Sequence, residues 1–348
     1  MQELSVRKVF NNVVAAQLGG GKKIIASRIL SSGDLILIDE SLCELLISLA
    51  EVHDPDQFYT TDARFSGTPA MIRARERMTD VRRAAFDKLH SEDKTTQGIF
   101  RSNAFGDDEI RDGQNYHILR VYGKISRINH SCRPNAVVNW NANLGRATVR
   151  AITTISSGDE ILLDYLGSAE ATYQTRRQRR QALQARWNFH CLCAICNAPP
   201  AEVRRDNQLR LDAKQLYGSL NDEEQRGAEG NAQDVLNRRI EDGLVYVRAV
   251  ENLEVRDEKL ASAYQHVAAL HVKNYEVAKA VDNGHCDECV EEGRPNHHLK
   301  RALEMAEASF DTLFLCYGQD HPDTMEQEEV MMGLRRKRAP IRRPSLSF

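Results

Sequence analysis

Apolar and polar positions change rhythm several times along the chain. Between residue 5 and about residue 46, KKIIASRIL and DLILIDESLCELLI are dense in Ile and Leu and are parted by SSGD, the pattern of strands joined by turns. Residues 47–68 are polar. From 69 to 90, PAMIRARERMTDVRRAAFDKLH sets Met71, Ala74, Met78, Val81, Ala85 and Leu89 three and four residues apart, which predicts a helix inserted among the strands. Strand patterning returns at ATVRAITTI and EILLDY, and TYQTRRQRRQALQARW predicts a helix with five arginines. Those at 176–180 read first as a solvated helix face, with an acidic substrate stretch or nucleic-acid phosphates as the alternative. Beyond Pro199 and Pro200 long helical stretches rich in Ala, Leu, Glu and Arg replace strands, so a domain boundary is placed near 200. There Tyr264, Val267, Leu270 and His271 form a core stripe. ILSSGDLILIDE (29–40) and TISSGDEILLDY (154–165) resemble each other, but Gly before Asp ahead of a strand is a common turn and implies no duplication.

Composition narrows the classes. The chain has 348 residues, enough for two or three domains, with a net charge of -3, 28% charged and 41% hydrophobic residues. No global bias toward nucleic acid or membrane follows. MQELSVRKVF lacks the features of a secretory signal and no window approaches a membrane span, so an intracellular protein is expected, in nucleus or cytoplasm. Of eight cysteines, five fall in C-x-C-x-x-C and C-x-x-C groups, which in a reducing compartment favour metal over disulfides. Cys191, Cys193 and Cys196 can converge on one ion, and a structural zinc site normally takes a fourth ligand. Cys43, Cys132, His190, Cys286, Cys289 and Cys316 are the candidates, with His190 ranked low because adjacent residues seldom both face one ion. GHCDECVEEGRPNHH (284–298) allows a second zinc at Cys286 and Cys289 with His297 or His298, or simply a polar loop. From Leu334 the basic LRRKRAPIRRPSLSF is expected to be disordered, and RRKR (335–338) to be a candidate nuclear import signal.

NHSCRPN (129–135), SGDEILLDY (157–165) and CLCAIC (191–196), in this order, resemble the SET-domain protein-lysine methyltransferases. GGGKKIIASRILSSGDLILIDE resembles that fold's opening strands, and RSNAF (101–105) a segment lying on the cofactor in the SET-and-MYND branch. The resemblance covers residues 5–197, and the helical remainder is similar in kind to that branch. The MYND zinc finger has no counterpart, since 47–100 contains no cysteine.

The resemblance implies an α+β fold: a β-rich SET domain of small curved sheets with a pseudoknot over residues 1–170, carrying the helical insert at 69–90. A post-SET helix and zinc knuckle would follow at 171–198, an all-α C-terminal domain of helical-repeat or tetratricopeptide-like kind at 199–333, and the basic tail at 334–348. It implies that Cys132 joins Cys191, Cys193 and Cys196 on one structural zinc ion, and that S-adenosyl-L-methionine is the cofactor. Tyr165 matches the catalytic tyrosine. Gly21, Lys22, Asn103, Asn129, His130, Tyr165 and Phe189 match cofactor contacts, and Trp187 a wall of the lysine channel. One departure is Lys23, which stands where the opening Gly-x-Gly motif has its second glycine: either it crowds the cofactor, or the run Gly19, Gly20, Gly21 shifts to take over, with Lys22 pairing with the cofactor carboxylate as a further alternative. The function implied is methylation of lysine in histone or non-histone proteins, by a monomer with a protein substrate and chromatin among its candidate partners. Direct nucleic-acid binding is not favoured. The rivals are a catalytically weak or inactive SET scaffold that binds protein partners, and a chromatin-associated nucleic-acid binder acting through the arginine helix and basic tail.

Overall fold

The computed structural model describes residues 12–18, 21–48, 67–221, 231–281 and 297–338. Contacts divide the chain into two compact units, one of residues 1–171 and 176–199, the other of 172–175 and 200–348. The architecture is α+β.

The first unit is built from small sheets. Strand β1 (Val13–Leu18) pairs antiparallel with β2 (Gly21–Ala26). β3 (Leu35–Asp39), β9 (Arg146–Ala151) and β8 (Ala136–Asn141) make a three-stranded antiparallel sheet with β9 central. A second such sheet orders β4 (Ser41–Ser48), β6 (Gln114–Tyr122) and β5 (Ala104–Arg111). Alternation places Ile24 and Ala26 of β2 in one core with Leu37, Val149, Ile155, Ile161 and Leu163. The two similar segments at 29–40 and 154–165 fold into matching turns. Gly33 and Gly158 take φ of 88° and 89°, and the Asp34 and Asp159 carboxylates accept from the backbone N–H of Ser31 (3.1 Å) and Ser156 (3.2 Å). Leu30 and Ile155 exchange both backbone hydrogen bonds at 2.9 Å, so the turns lie side by side.

EILLDY makes only a two-residue strand, β10 (Leu162–Leu163), because this stretch changes partner midway. The N–H of Ile161 donates to Ile24 of β2 at 2.8 Å, whereas Leu162 and Leu163 pair in parallel with β7 (Asn129–His130). Asn135 clips the crossing: its Oδ1 accepts from the Leu162 N–H and its Nδ2 donates to the Glu160 carbonyl, both at 2.8 Å.

The insert departs from the single helix expected over 69–90. It is two helices, α1 (Gly67–Glu76) and α2 (Asp80–Phe86), because Thr79 caps the second by accepting from the Arg82 N–H. The break turns Val81, assigned to the buried stripe, out to 81% exposure. Helix α3 (Thr96–Asn103) and the β5–β6 hairpin complete this layer. A short helix α4 (Ala169–Thr172) precedes α5 (Arg176–Trp187), so the expected arginine-rich helix starts four residues later than its apolar pattern suggests.

In the second unit each of α6 (Pro200–Asn221), α7 (Ala232–Asn252), α8 (Glu258–Val281), α9 (His297–Tyr317) and α10 (Pro322–Arg338) packs on the next. The stretch from 244 to 282 breaks between α7 and α8, where Glu254 takes a φ of 58° and the Asp257 carboxylate accepts from the Lys259 N–H at 2.9 Å. Gly243 is required by packing, since a Cβ there would lie 2.8 Å from Val267 Cγ2. Leu334, expected to open a disordered tail, is buried, and α10 runs on to Arg338; the Leu334 side chain joins Leu299, Leu303 and Met331 in a core and holds the helix past the basic run's start. Cys286 and Cys289 lie outside the described residues. No described helix is long and apolar enough to cross a membrane.

Candidate functional site

Four sulfurs from two distant stretches meet in the first unit. The Sγ atoms of Cys132, Cys191, Cys193 and Cys196 all lie within 4.8 Å of one another, with Cys132 at 3.6 Å from Cys196 and 4.0 Å from Cys191. A tetrahedral zinc ion with ~2.3 Å bonds places its sulfurs about 3.8 Å apart, so this donor set fits that ion. Of the other candidates, the three among the described residues stand elsewhere. His190 is exposed, Cys43 is on β4 with its thiol pushed up to about 12 by burial, and Cys316 is on α9, donating to the Arg256 carbonyl. Within the cluster, hydrogen bonding between sulfurs pushes the Cys132 thiol up, Cys191 contributing most, and holds Cys193 down, Cys132 contributing most. Four thiols so close, three of them buried, can neither all ionise nor all find acceptors without a cation.

Three arginines of α5 supply the surroundings of these sulfurs, which corrects their expected place on a solvated face, while Arg177 stays exposed as expected. Arg180 donates to the carbonyls of Cys191 (3.0 Å) and Cys196 (2.9 Å), and Arg176 to that of Cys196 (3.3 Å). Arg179 is fully buried with Nη2 4.0 Å from the Cys196 sulfur. Four thiolates around a divalent ion carry a net double negative charge, and a buried guanidinium offsets part of it. Residues 176, 179 and 180 fall on one side of a helix by three- and four-residue spacing, a signal visible in the sequence; that this side would be covered by the knuckle was not.

Next to the sulfurs sits an aromatic group. Tyr165 has ring centroids of Trp187 at 5.2 Å, His130 at 5.3 Å and Phe189 at 6.3 Å, the last edge-on. The same cluster includes Leu183 and Ile195, so the side chains around Tyr165 and those around the cysteines share one core. The His130 ring joins the two. Its Nδ1 accepts from the Tyr165 backbone N–H at 3.0 Å, which assigns the proton of the neutral ring to Nε2, 3.3 Å from the Cys132 sulfur. Burial holds this imidazole below its ordinary pKa. The Tyr165 hydroxyl donates to the Ile128 carbonyl at 2.6 Å. Burial, with the Glu160 charge adding, pushes the phenol well above its usual range, so its oxygen keeps its proton and offers lone pairs to a neighbour.

The remaining residues singled out from sequence distribute unevenly. Asn129 abuts this group on β7 and donates its side-chain amide to Glu160 Oε1 at 2.7 Å. Asn103 is buried at the end of α3, where its amide donates to the His90 carbonyl at 2.7 Å and the Ile99 carbonyl at 2.8 Å. Gly21 and Lys22 open β2, and their side chains lie outside the described residues. The Ile128 carbonyl and Glu160 were not singled out. A backbone acceptor leaves no residue signature, whereas Glu160 stands inside the very motif that pointed to Tyr165.

Residues 21–166 match the family model described as SET domain. The histone-lysine N-methyltransferase set5 of Schizosaccharomyces pombe is 30% identical over 143 residues, covering 40% of this chain and 41% of that protein. The protein-lysine N-methyltransferase SMYD4 of Mus musculus is 38% identical over 78 residues, covering 22% of this chain and 9% of the relative. The N-lysine methyltransferase SMYD2 of Mus musculus is 26% identical over 168 residues, covering 47% and 36%. The chain thus carries a SET domain resembling that of the SMYD proteins, and it spans less than half the length of these relatives.

Proposed function

We propose that this SET-domain chain transfers methyl groups from S-adenosylmethionine to lysine side chains of proteins. The observation that carries the proposal is Tyr165: a neutral phenol whose proton is spent on the Ile128 carbonyl, in a corner formed by Trp187, His130 and Phe189. The bound cofactor supplies a methyl group made electrophilic by its sulfonium. What the protein contributes is alignment, which for a displacement between two bound groups provides most of the rate. The Tyr165 oxygen and the carbonyls near it orient a lysine amine through hydrogen bonds. That amine, with an ordinary pKa of about 10.4, loses its proton more readily once buried beside other positive charge. The Trp187 ring walls the approach, where an aromatic face suits a cationic or methylated amine. Asn129, His130 and Phe189, with Gly21, Lys22 and Asn103, would hold the cofactor, and Cys132, Cys191, Cys193 and Cys196 a structural zinc ion. The relatives' names support protein lysine as the acceptor, histones among them.

The test is transfer of labelled methyl from S-adenosylmethionine to a panel of lysine-bearing proteins that includes histones, with label recovered as methyl-lysine after hydrolysis. Incorporation by the wild type is expected. A chain that binds the cofactor but labels none of the panel, nor itself, contradicts catalysis and leaves a scaffold.

A further inference from the structure

We propose that Lys23, which stands at the glycine position of the opening motif, is a positioning residue for cofactor binding: through Glu160 it fixes the side chain of Asn129. This rests on the function proposed above.

Strand parity sets the direction of Lys23. Ile24 and Ala26 of β2 are buried in the core, so Lys23 projects from the opposite face. There its Nζ lies 2.9 Å from Glu160 Oε2, while Glu160 Oε1 accepts from Asn129 Nδ2 at 2.7 Å. One carboxylate thus joins the strand of the opening motif to the NHSC segment, using a different oxygen for each. Glu160 is itself held by its backbone. It bridges to Ile25, and its carbonyl accepts from Asn135 at 2.8 Å. A carboxylate anchored at its backbone and by an ammonium at one oxygen has little freedom to rotate, so the amide of Asn129 is presented in one orientation. In this chain the lysine ties down the residue that a glycine would leave to other contacts.

The pair is partly exposed, with side-chain accessibilities of 36% and 20%. The effect is therefore modest and salt-dependent. Calorimetric titration with S-adenosylhomocysteine is the test, on zinc-loaded wild type, Lys23→Met, Lys23→Arg, Glu160→Gln and the Lys23→Met/Glu160→Gln double variant, each checked for unchanged zinc content and melting temperature. Lys23→Met is expected to bind about two- to fivefold more weakly, Lys23→Arg nearly as the wild type, and the double variant no more weakly than Glu160→Gln alone. In turnover the KM for S-adenosylmethionine should rise while kcat stays. Binding by Lys23→Met as tight as the wild type, or tighter, overturns the proposal. So does a Lys23→Met penalty that persists undiminished in the Glu160→Gln background, which would mean direct contact with the ligand. Absence of binding by the wild type overturns the functional reading as well, whereas wild-type binding with an unaffected Lys23→Met overturns this inference alone.

Discussion

Tyr165 can be silenced without disturbing what surrounds it. Replacing it with Phe keeps the ring among Trp187, His130 and Phe189 and removes only the hydroxyl bonded to Ile128. Methyl transfer is expected to fall on the order of 10²-fold, with zinc content unchanged, in the labelled-methyl assay. An unchanged rate would move the chemistry away from this corner. Arg179 is the second test at this scale. Because it is buried beside the Cys196 sulfur, Arg179→Met should lower stability by about 3 kcal/mol and speed zinc loss to a chelator. Arg177→Ala, on the exposed side of the same helix, should stay within about 0.5 kcal/mol of wild type by urea denaturation. Equal effects of the two would remove the cluster's claim on Arg179. Tyr165 and the cysteines were legible as residue types in a known order. The Ile128 carbonyl and the burial of Arg179 were not, since one is backbone and the other depends on a knuckle that folds back over its own helix.

Elements were legible where one periodicity persisted and illegible where a local bond interrupted it. The stripe from Met71 to Leu89 keeps helical spacing across the Thr79 cap, so pattern alone joins two helices. EILLDY has a strand's composition yet pairs with β2 and then β7, a switch set by Asn135. The basic run after Leu334 looks unable to bury anything, but Leu334 does. In the second unit His271 was placed in the core, and a pH dependence follows from its partner. Its Nδ1 is 3.1 Å from that of His298 across α8 and α9. Burial first, then the charges of His298, His297 and Arg301, opposed by Glu304, hold its pKa down to about 4. Unfolded, the same ring takes a proton near about pH 6.5. Between those values the unfolded chain binds a proton that the folded one refuses, so its contribution is complete above about pH 6.5 and is lost as pH falls toward 4. Urea denaturation from neutral to mildly acid pH should show the helical unit weakening across this window, and His271→Gln should flatten the slope. A slope untouched by the substitution would contradict it.

Across the molecule, the division near residue 200 coincides with the change from mixed to purely helical patterning, and the α+β class follows from it. What no local pattern carried is the approach of residues 59 positions apart, Cys132 and Cys191, whose sulfurs lie 4.0 Å apart. Metal coordination by groups so distant in the chain couples binding to folding, and here it would fasten the segment of Trp187 and Phe189 beside Tyr165 and the NHSC stretch. The most direct measurement is calorimetric titration of S-adenosylhomocysteine into the chain before and after metal removal, with zinc counted by elemental analysis. One zinc per chain bound through Cys132 and its three partners, ligand binding in that form and its loss on chelation are the expected results, with zinc readdition restoring it. Ligand binding unchanged in a metal-free chain, or absent from one fully loaded with zinc, would contradict the account.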